Sequence, residues 1–355
     1  MWVIILFKRL IAFVIVFTFS LSLTDCTVFS KELEISADSA IAIDSSTNSV
    51  LYEKNAYIER PMASTTKIMT CVIACESGKL DDNVKISDEM LYNAEGTSLY
   101  LKSGDRITLK DLITGAMLES GNDCANAIAI HLSGSIEHFC ELMNDKAVML
   151  GMTQTYFASP SGLDGNNHHS SAHDMAILAS YAMKNSIFAQ IAGTTSSEVT
   201  VNGIIKTVNN HNKLLKLSEN FIGVKTGFTK KAGRCLVSAY KYYENTIITV
   251  TLNAPDDWND HLKLAEYAKK KYSEYADKGI AYIDCVGSYK TKVRCDYSYS
   301  VYSVGEMYVK TCYYPFIYAP VKAGDTVGYA DIMCSDSVLK RVEIKAQEDI
   351  NYGKQ

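Results

Sequence analysis

The sequence lacks several features that would assign it to common functional classes. No C-x-x-C pair occurs among its 10 cysteines, so neither a zinc site nor a dithiol redox motif is indicated. A net charge of −5 argues against a nucleic-acid-binding protein, which needs a basic face. We find no internal repeat and no low-complexity segment. What is left is typical of a globular protein, since 47% of its 355 residues are hydrophobic and 21% are charged.

The N-terminus has the most unusual composition. Lys8 and Arg9 precede an uncharged apolar run over residues 10–23, which is short for a membrane-spanning helix and typical of an export signal. We therefore predict a signal peptide over residues 1–30 and a mature chain that starts near Lys31. The apolar residues before Lys8 leave an uncleaved anchor as the alternative.

The cysteines are many for an exported protein. Loss of Cys26 from the 10 would leave nine, an odd number, so at least one thiol would stay free or pair between chains. We interpret Cys71, Cys75 and Cys124 as small buried apolar residues. Four cysteines of the C-terminal region could pair among themselves: Cys285, Cys295, Cys312 and Cys334.

The order of the predicted elements indicates an α+β domain. Strands are predicted over residues 39–44, 50–53, 199–208, 222–225, 235–240 and 246–252. Helices are predicted over residues 64–77, 109–118, 123–132, 136–150, 172–183 and 258–275. Strands at both ends with helices between them predict a sheet that joins sequence-distant halves of the domain.

The composition shifts after this domain. Residues 286–350 are rich in Tyr, Val, Thr and Ser and alternate with period two, which is typical of strands. We therefore predict a main domain over residues 31–278 and a small all-β domain over residues 279–355.

One short stretch contains a candidate nucleophile. Ser64 opens a predicted helix and Lys67 follows three positions later, so the two side chains can meet on one helix face. A lysine can take the proton of a serine only if burial or another cation keeps it neutral. The helix start also offers free backbone N–H groups for an oxyanion. The same Ser-x-x-Lys spacing occurs at two other places, Ser238/Lys241 and Ser337/Lys340.

Two tripeptides elsewhere in the chain support the interpretation of Ser64 as a nucleophile. Ser120-Gly121-Asn122 falls at a break between predicted helices, and Lys225-Thr226-Gly227 falls on a predicted strand before Phe228. For each motif alone we favour a structural role as a helix cap, a turn or a strand end. Together, in this order, they supply the nucleophile, base, oxyanion site and anion anchor that an acyl transfer needs.

With these three motifs the sequence resembles the penicillin-binding protein and serine β-lactamase superfamily, with Gly121 in place of the usual aspartate. Within it, the chain is most similar to the low-molecular-mass D-alanyl-D-alanine carboxypeptidases. The resemblance covers nearly the whole mature chain and includes residues 50–55, 157–176 and 223–227. It implies a β-lactamase/transpeptidase-like fold, with an antiparallel sheet flanked by helices and a helical subdomain, followed by that family's β-rich C-terminal domain.

The resemblance also implies a role for each matching residue. Ser64 would attack the carbonyl between two D-alanines and form an acyl-enzyme, Lys67 would be the general base, and Ser120 would relay a proton to the leaving amine. The implied substrate-binding residues are Asn122, Lys225, Thr226, Gly227 and Phe228. Asn122 would bind the substrate amide or hold Lys67, and the N–H groups of Ser64 and Phe228 would form the oxyanion hole. No metal or organic cofactor is implied.

Some positions depart from the family pattern. Residues 254–261 lack the arginine that many members use for the substrate carboxylate, which leaves His261 and Arg234 as candidates for that contact. We interpret His168 as structural. The chain shows no apolar stripe at its C-terminus, so we do not expect membrane attachment there. Peripheral membrane association by other means stays open.

We therefore expect an exported, penicillin-sensitive serine D,D-carboxypeptidase that acts in the cell wall, at the outer face of the cytoplasmic membrane. It would trim the pentapeptide stems of peptidoglycan, which would affect wall biogenesis and cell shape, and β-lactams would be covalent inhibitors. A class A β-lactamase would need an E-x-x-L-N segment, which is absent. A D,D-endopeptidase or transpeptidase would share the same motifs. The intact motifs argue against a non-catalytic wall-binding relative.

Overall fold

A computed structural model of the protein describes residues 33–163, 165, 167–334 and 336–353. The predicted signal peptide lies outside the described residues. None of the helices in the described part of the chain has the length and apolar character that a membrane crossing needs. Residues from Ile35 onward belong to a single compact unit.

The elements alternate largely as the sequence predicts. The strands are β1 (Ser39–Asp44), β2 (Val50–Lys54), β3 (Asn83–Lys85), β4 (Arg106–Thr108), β5 (Ser196–Val201), β6 (Ile204–Asn209), β7 (Phe221–Thr229), β8 (Gly233–Tyr242), β9 (Asn245–Leu252), β10 (Ser273–Val286), β11 (Lys292–Ser303), β12 (Met307–Tyr313), β13 (Phe316–Tyr318), β14 (Thr326–Cys334) and β15 (Ser337–Ala346). The helices are α1 (Lys67–Glu76), preceded by a 3₁₀ turn (Ala63–Thr66), α2 (Asp88–Leu91), α3 (Leu109–Leu118), α4 (Asn122–Ser133), α5 (Ile136–Met149), α6 (Ala172–Ala182), α7 (Ser186–Gly193), α8 (Leu214–Leu217) and α9 (Asp257–Lys269).

A five-stranded antiparallel sheet in the order β2-β1-β9-β8-β7 organises the main domain. Strand β1 pairs with β9, which confirms that the sheet joins distant parts of the chain. Alternate residues enter different cores: Ile41 and Ile43 pack with the α1 and α6 helices, whereas Ala42 packs with α9. Because both faces of β1 are covered, all six of its residues are buried.

The predicted helix over residues 258–275 is too long. Helix α9 ends at Lys269, and β10 begins at Ser273. Tyr272 explains the error, because it continues the helical spacing of Ala265 and Ala268 yet leaves the helix to pack in the same core. Its hydroxyl donates a 2.6 Å hydrogen bond to Asp44 at the end of β1.

The C-terminal region is all-β, as predicted, and forms a six-stranded sheet in the order β12-β14-β15-β11-β10-β13. The predicted boundary at residues 278 and 279 falls inside β10, and the division into domains stays a prediction. This sheet contacts the main domain through Tyr302, whose ring stacks on Tyr243 at 3.9 Å between centroids. Asn245 Nδ2 also donates to the Tyr302 carbonyl at 2.6 Å.

Nine cysteines lie in the described part of the chain, and no disulfide forms among them. The suggested pairing among the C-terminal cysteines is therefore wrong for these residues. Cys285 and Cys295 lie in the core of the C-terminal sheet. Cys71, Cys75 and Cys124 are buried in the main core, as interpreted from the sequence.

Candidate active site

The 3₁₀ turn before α1 presents Ser64 at the surface of a cleft. Ala63, just before it, has a left-handed φ of +48°, which an L-residue adopts only under constraint. Gly162 supplies part of that constraint: a Cβ on this residue would lie 2.0 Å from the Ala63 carbonyl oxygen. His168 supplies another, since its Nε2 lies 2.8 Å from the Thr66 hydroxyl, which itself donates to the Ala63 carbonyl.

The bonds around His168 fix its protonation. The Ala158 N–H donates to His168 Nδ1, so the ring proton sits on Nε2. Burial lowers the pKa of His168 to about 4. The imidazole is thus neutral near neutral pH, which agrees with the structural interpretation of this residue.

Lys67 is fully buried behind Ser64 and makes three contacts. Its Nζ lies 2.7 Å from Asn122 Oδ1, 2.7 Å from the Ser161 carbonyl and 3.0 Å from Ser64 Oγ. The first two groups can only accept, because Asn122 is oriented by its Nδ2 donating to the Glu95 carbonyl. A neutral amine has two N–H groups for these acceptors, which leaves its lone pair for the Ser64 hydroxyl.

Electrostatics favour this neutral amine. Burial, and secondly the charge of Lys225, hold the pKa of Lys67 well below its usual value. Burial lowers the pKa of Lys225 to about 8. The charge of Lys225 therefore favours the neutral form of Lys67, in addition to the effect of burial.

Ser120 and Asn122 lie at the break between α3 and α4. Ser120 has a left-handed φ of +60° and lines the cleft, while Asn122 is buried below it. Asp123 fixes the facing loop, because its carboxylate accepts hydrogen bonds from the Leu99 and Leu101 N–H groups. Reasoning from the sequence missed Asp123, although its place directly after Ser-Gly-Asn was a usable signal.

Strand β7 forms the opposite wall. Thr226, Gly227 and Phe228 line the cleft, whereas Lys225 is 1% exposed and lies beneath it. A Cβ on Gly227 would lie 3.0 Å from the Ser64 nitrogen, a tight contact, so glycine favours the close approach of the strand to the 3₁₀ turn.

The cleft has a volume of about 340 Å³ and brings together the three motifs. Ser64, Ser120, Thr226, Gly227 and Phe228 line it, and Lys67, Asn122 and Lys225 lie buried next to it. Six further residues line the cleft, of which only Arg234 was a candidate from the sequence: Thr97, His211, Lys213, Arg234, Asp257 and Trp258.

The two candidates for the second carboxylate contact separate clearly. His261 is fully buried, and its ring nitrogens contact the hydroxyls of Ser238, Thr249 and Thr251. Burial lowers its pKa to about 3. The suggestion of His261 is therefore wrong, because it is a core residue that does not line the cleft. Arg234 does line it.

The fold, with the three motifs at one cleft, is that of the penicillin-binding proteins. The sequence profile of the family described as D-alanyl-D-alanine carboxypeptidase matches residues 26–256, and the chain belongs to that family. The carboxypeptidase DacF of Bacillus subtilis is 35% identical over 254 residues, covering 69% of this chain and 65% of DacF. The D-alanyl-D-alanine carboxypeptidase of Streptomyces strain K15 is 33% identical over 268 residues, covering 70% of this chain and 92% of that protein.

Solved structures agree with this assignment. The Streptomyces K15 DD-transpeptidase matches with a TM-score of 0.63 and 31% identity, over 66% of this chain and 97% of that one. The carboxypeptidase DacD of Francisella tularensis, at 24% identity, shares the fold over 94% of this chain with a TM-score of 0.63. The chain spans 65% of the length of DacF and 61% of the length of Escherichia coli DacC.

Proposed function

We propose that the protein is a serine D-alanyl-D-alanine carboxypeptidase that removes the terminal D-alanine from peptidoglycan stem pentapeptides. The observation that carries this proposal is the buried amine of Lys67, which lies 3.0 Å from Ser64 Oγ and has two other acceptors, Asn122 Oδ1 and the Ser161 carbonyl, for its N–H groups. That arrangement makes a serine nucleophile without a histidine or a metal.

In the acylation step, Lys67 takes the Ser64 proton as Oγ attacks the carbonyl carbon between the two D-alanines. The negative charge that develops on the carbonyl oxygen is stabilised by the backbone N–H groups of Ser64 and Phe228. As the carbon–nitrogen bond breaks, the proton on Lys67 passes through the Ser120 hydroxyl to the leaving amine. The products are free D-alanine and an ester on Ser64.

The terminal carboxylate has to be held while this bond breaks. Thr226 lines the cleft, and its hydroxyl would donate to that carboxylate, while the charge of the buried Lys225 adds positive potential. Water then attacks the ester, with Lys67 again as the base, and Ser64 is regenerated. A β-lactam would acylate Ser64 in the same way and leave slowly.

Transpeptidation is the alternative that has specific support. The Streptomyces K15 relative is described as a carboxypeptidase in one comparison and as a DD-transpeptidase in another. Water or an amine can accept the acyl group at the same site, so the choice depends on acceptor access rather than on the residues that form the ester.

The cellular setting follows from the substrate. We infer that the protein is exported, through a signal peptide over residues 1–30, and acts on peptidoglycan in the cell wall. Trimming the stems would limit the donors available for cross-linking and so influence cell shape. Peripheral association with the membrane would keep the cleft near its substrate.

Mass spectrometry of a stem pentapeptide, incubated with the protein with and without benzylpenicillin, tests the proposal. We expect a tetrapeptide whose formation penicillin blocks and Ser64→Ala abolishes. Ser337→Ala is a matched control, because Ser337 shares the Ser-x-x-Lys spacing but lies in the C-terminal sheet. Cross-linked dimers would indicate a transpeptidase. Hydrolysed penicillin beside intact peptide would indicate a β-lactamase. If neither the peptide nor penicillin changes, the protein is a binding protein.

A further inference from the structure

The proposed substrate ends in a carboxylate, and the cleft offers a choice of cations to bind it. His211, Lys213 and Arg234 line the cleft. Burial, and secondly the charge of Lys225, lowers the pKa of His211, so its imidazole is a weaker partner for a carboxylate than a permanently charged guanidinium. Lys213 is exposed on the loop between β6 and α8 and would lose much side-chain entropy on binding.

Arg234 is placed next to the residue that already faces the substrate. In the β7–β8 ladder, Arg234 is opposite Phe228 and Leu236 is opposite Thr226. Residues opposite each other share a face of the sheet, as do residues two apart on one strand. Arg234 and Thr226 are therefore diagonal neighbours on one face, a relation that spans about 7–8 Å and is within reach of an arginine side chain.

The guanidinium of Arg234 is fixed before any ligand arrives. Its Nε and Nη2 lie 3.0 and 2.7 Å from Asp257 Oδ1, and its Cζ lies 5.5 Å from the ring centre of Trp258. The Ala254 N–H donates to the Arg234 carbonyl at 2.9 Å, which ties the loop before α9 to β8.

The pair leaves part of the guanidinium available. The Asp257 side chain is 4% exposed, whereas that of Arg234 is 41% exposed. Within the described part of the chain, Nη1 of Arg234 donates no hydrogen bond. A guanidinium has five N–H donors in a planar fork, so it can hold Asp257 on one edge and a second carboxylate on another.

We propose that Arg234 binds the terminal carboxylate of the substrate together with Thr226, and that Asp257 is the positioning residue that orients its guanidinium. This inference rests on the proposed function. It places the carboxylate-binding arginine on strand β8, although residues 254–261 contain no arginine. The enzyme's preference for a substrate with a free C-terminal carboxylate over one with an uncharged C-terminus then depends on Arg234.

The test measures kcat/KM of purified variants on two tripeptides. One ends in D-Ala-D-Ala with a free carboxylate, and the other carries a C-terminal amide instead. We expect Arg234→Gln to lower kcat/KM for the acid by about 10- to 100-fold, because a charge-assisted pair is lost. For the amide we expect a change of less than about threefold, because no carboxylate is present to pair.

A matched control is available in the C-terminal sheet. Arg341 pairs with Asp331 through its Nε and Nη2 at 2.6 and 2.9 Å. Arg341→Gln removes the same type of ion pair at a distance from the cleft, and we expect both tripeptides to be cleaved at the wild-type rate.

The inference is overturned if Arg234→Gln keeps wild-type kcat/KM on the acid, or if both tripeptides lose activity by the same factor. If Arg234→Gln does not fold, Arg234→Met, which also removes the charge, decides: an unchanged ratio of acid to amide would reject the proposed contact. If the wild-type protein cleaves neither tripeptide, the proposed function fails by itself. Acylation by benzylpenicillin and by its methyl ester then tests Arg234 with the same comparison.

Discussion

Lys67 and Lys225 are both buried amines, yet the proposed reaction needs them in different states of protonation. Lys67 must be neutral to accept the Ser64 proton, whereas Lys225 must be charged to attract the substrate carboxylate. Burial lowers the pKa of both, and the charge of Lys225 lowers that of Lys67 further. The charge of Lys225 thus helps to set the neutral state that Lys67 requires.

The pH dependence of acylation follows from these two pKa shifts. As pH rises, Lys67 loses its proton and the rate of acylation by benzylpenicillin should increase. Above about pH 8 Lys225 loses its charge, and the rate should fall again. Stopped-flow acylation from pH 5 to 10 measures this bell-shaped profile. In Lys225→Arg the alkaline fall should disappear, since a guanidinium keeps its charge; an unchanged fall would assign it to another group.

Replacement of the base is the sharper test at this scale. Lys67→Arg should slow acylation by about 100- to 10,000-fold, because a guanidinium cannot accept the Ser64 proton. Lys241→Arg is the control, since Lys241 also follows a serine by three residues but bonds the Glu244 carbonyl at the surface. The rate of penicillin labelling, followed by intact-protein mass, distinguishes the two. Wild-type labelling of Lys67→Arg would remove Lys67 from the role of base.

Among the elements, the 3₁₀ turn before α1 depends most on its neighbours. Ala63 holds a left-handed conformation that local sequence does not favour, and Gly162 and the His168–Thr66 pair fix its carbonyl. The turn sets the direction of the Ser64 hydroxyl. The loop that contains Gly162 therefore contributes to nucleophile geometry although it does not line the cleft.

Gly162→Ala should disturb this turn. The new Cβ would meet the Ala63 carbonyl, and the residue would also keep an unfavourable φ of +84°. We expect a loss of about 2–5 kcal/mol in the free energy of unfolding, together with slower acylation. Gly78→Ala has a similar φ of +71° but no atom within 4 Å, so it should cost only about 1–2 kcal/mol. Urea unfolding of both variants gives the comparison; equal costs would mean that the contact with Ala63 is unimportant.

The sequence was sufficient for features set by local pattern. Helix α3 spans Leu109–Leu118 as predicted, because its apolar spacing and its Thr108 cap are both local. Helix α7 was not predicted, although Asn185 caps it by accepting from the Ile187 and Phe188 N–H groups. The short length of this helix gave little periodicity to detect.

Features set by tertiary packing could not be read from the chain. The choice between Arg234 and His261 depends on which face of the sheet each residue meets, and both lie in amphipathic segments. The left-handed φ of Ala63 depends on contacts with residues about a hundred positions away. The order of the three motifs along the chain indicated the site. The cleft wall formed by Arg234 and Trp258 could be identified only from the three-dimensional structure.

For the molecule as a whole, the contact between the two sheets determines whether its parts unfold together. Tyr302 lies in the middle of this contact, stacked on Tyr243 and edge-on to Tyr242 at 5.8 Å. The same cluster includes Tyr272, which is anchored to β1. The C-terminal sheet is thereby connected to the central sheet of the main domain.

Tyr302→Ala should weaken this connection by about 1–3 kcal/mol, because both aromatic contacts and their buried area are lost. Tyr302→Phe should retain most of the stability, since it keeps the ring. Tyr282, which is 61% exposed on the same sheet, provides the control Tyr282→Ala. Thermal unfolding measures all three. If Tyr302→Ala and Tyr282→Ala melt alike, the stacked pair does not couple the two sheets.

The pairing of β1 with β9 has a consequence for how the protein is made. Ser64 is synthesised early, but β7, β8 and β9 must all emerge before β1 can join the sheet. Such non-local pairing is slow, and a nascent or translocating chain keeps its apolar strands exposed until it is complete. We expect penicillin to label only chains extended beyond Leu252, so a labelled antibiotic would report the completion of folding in addition to enzyme activity.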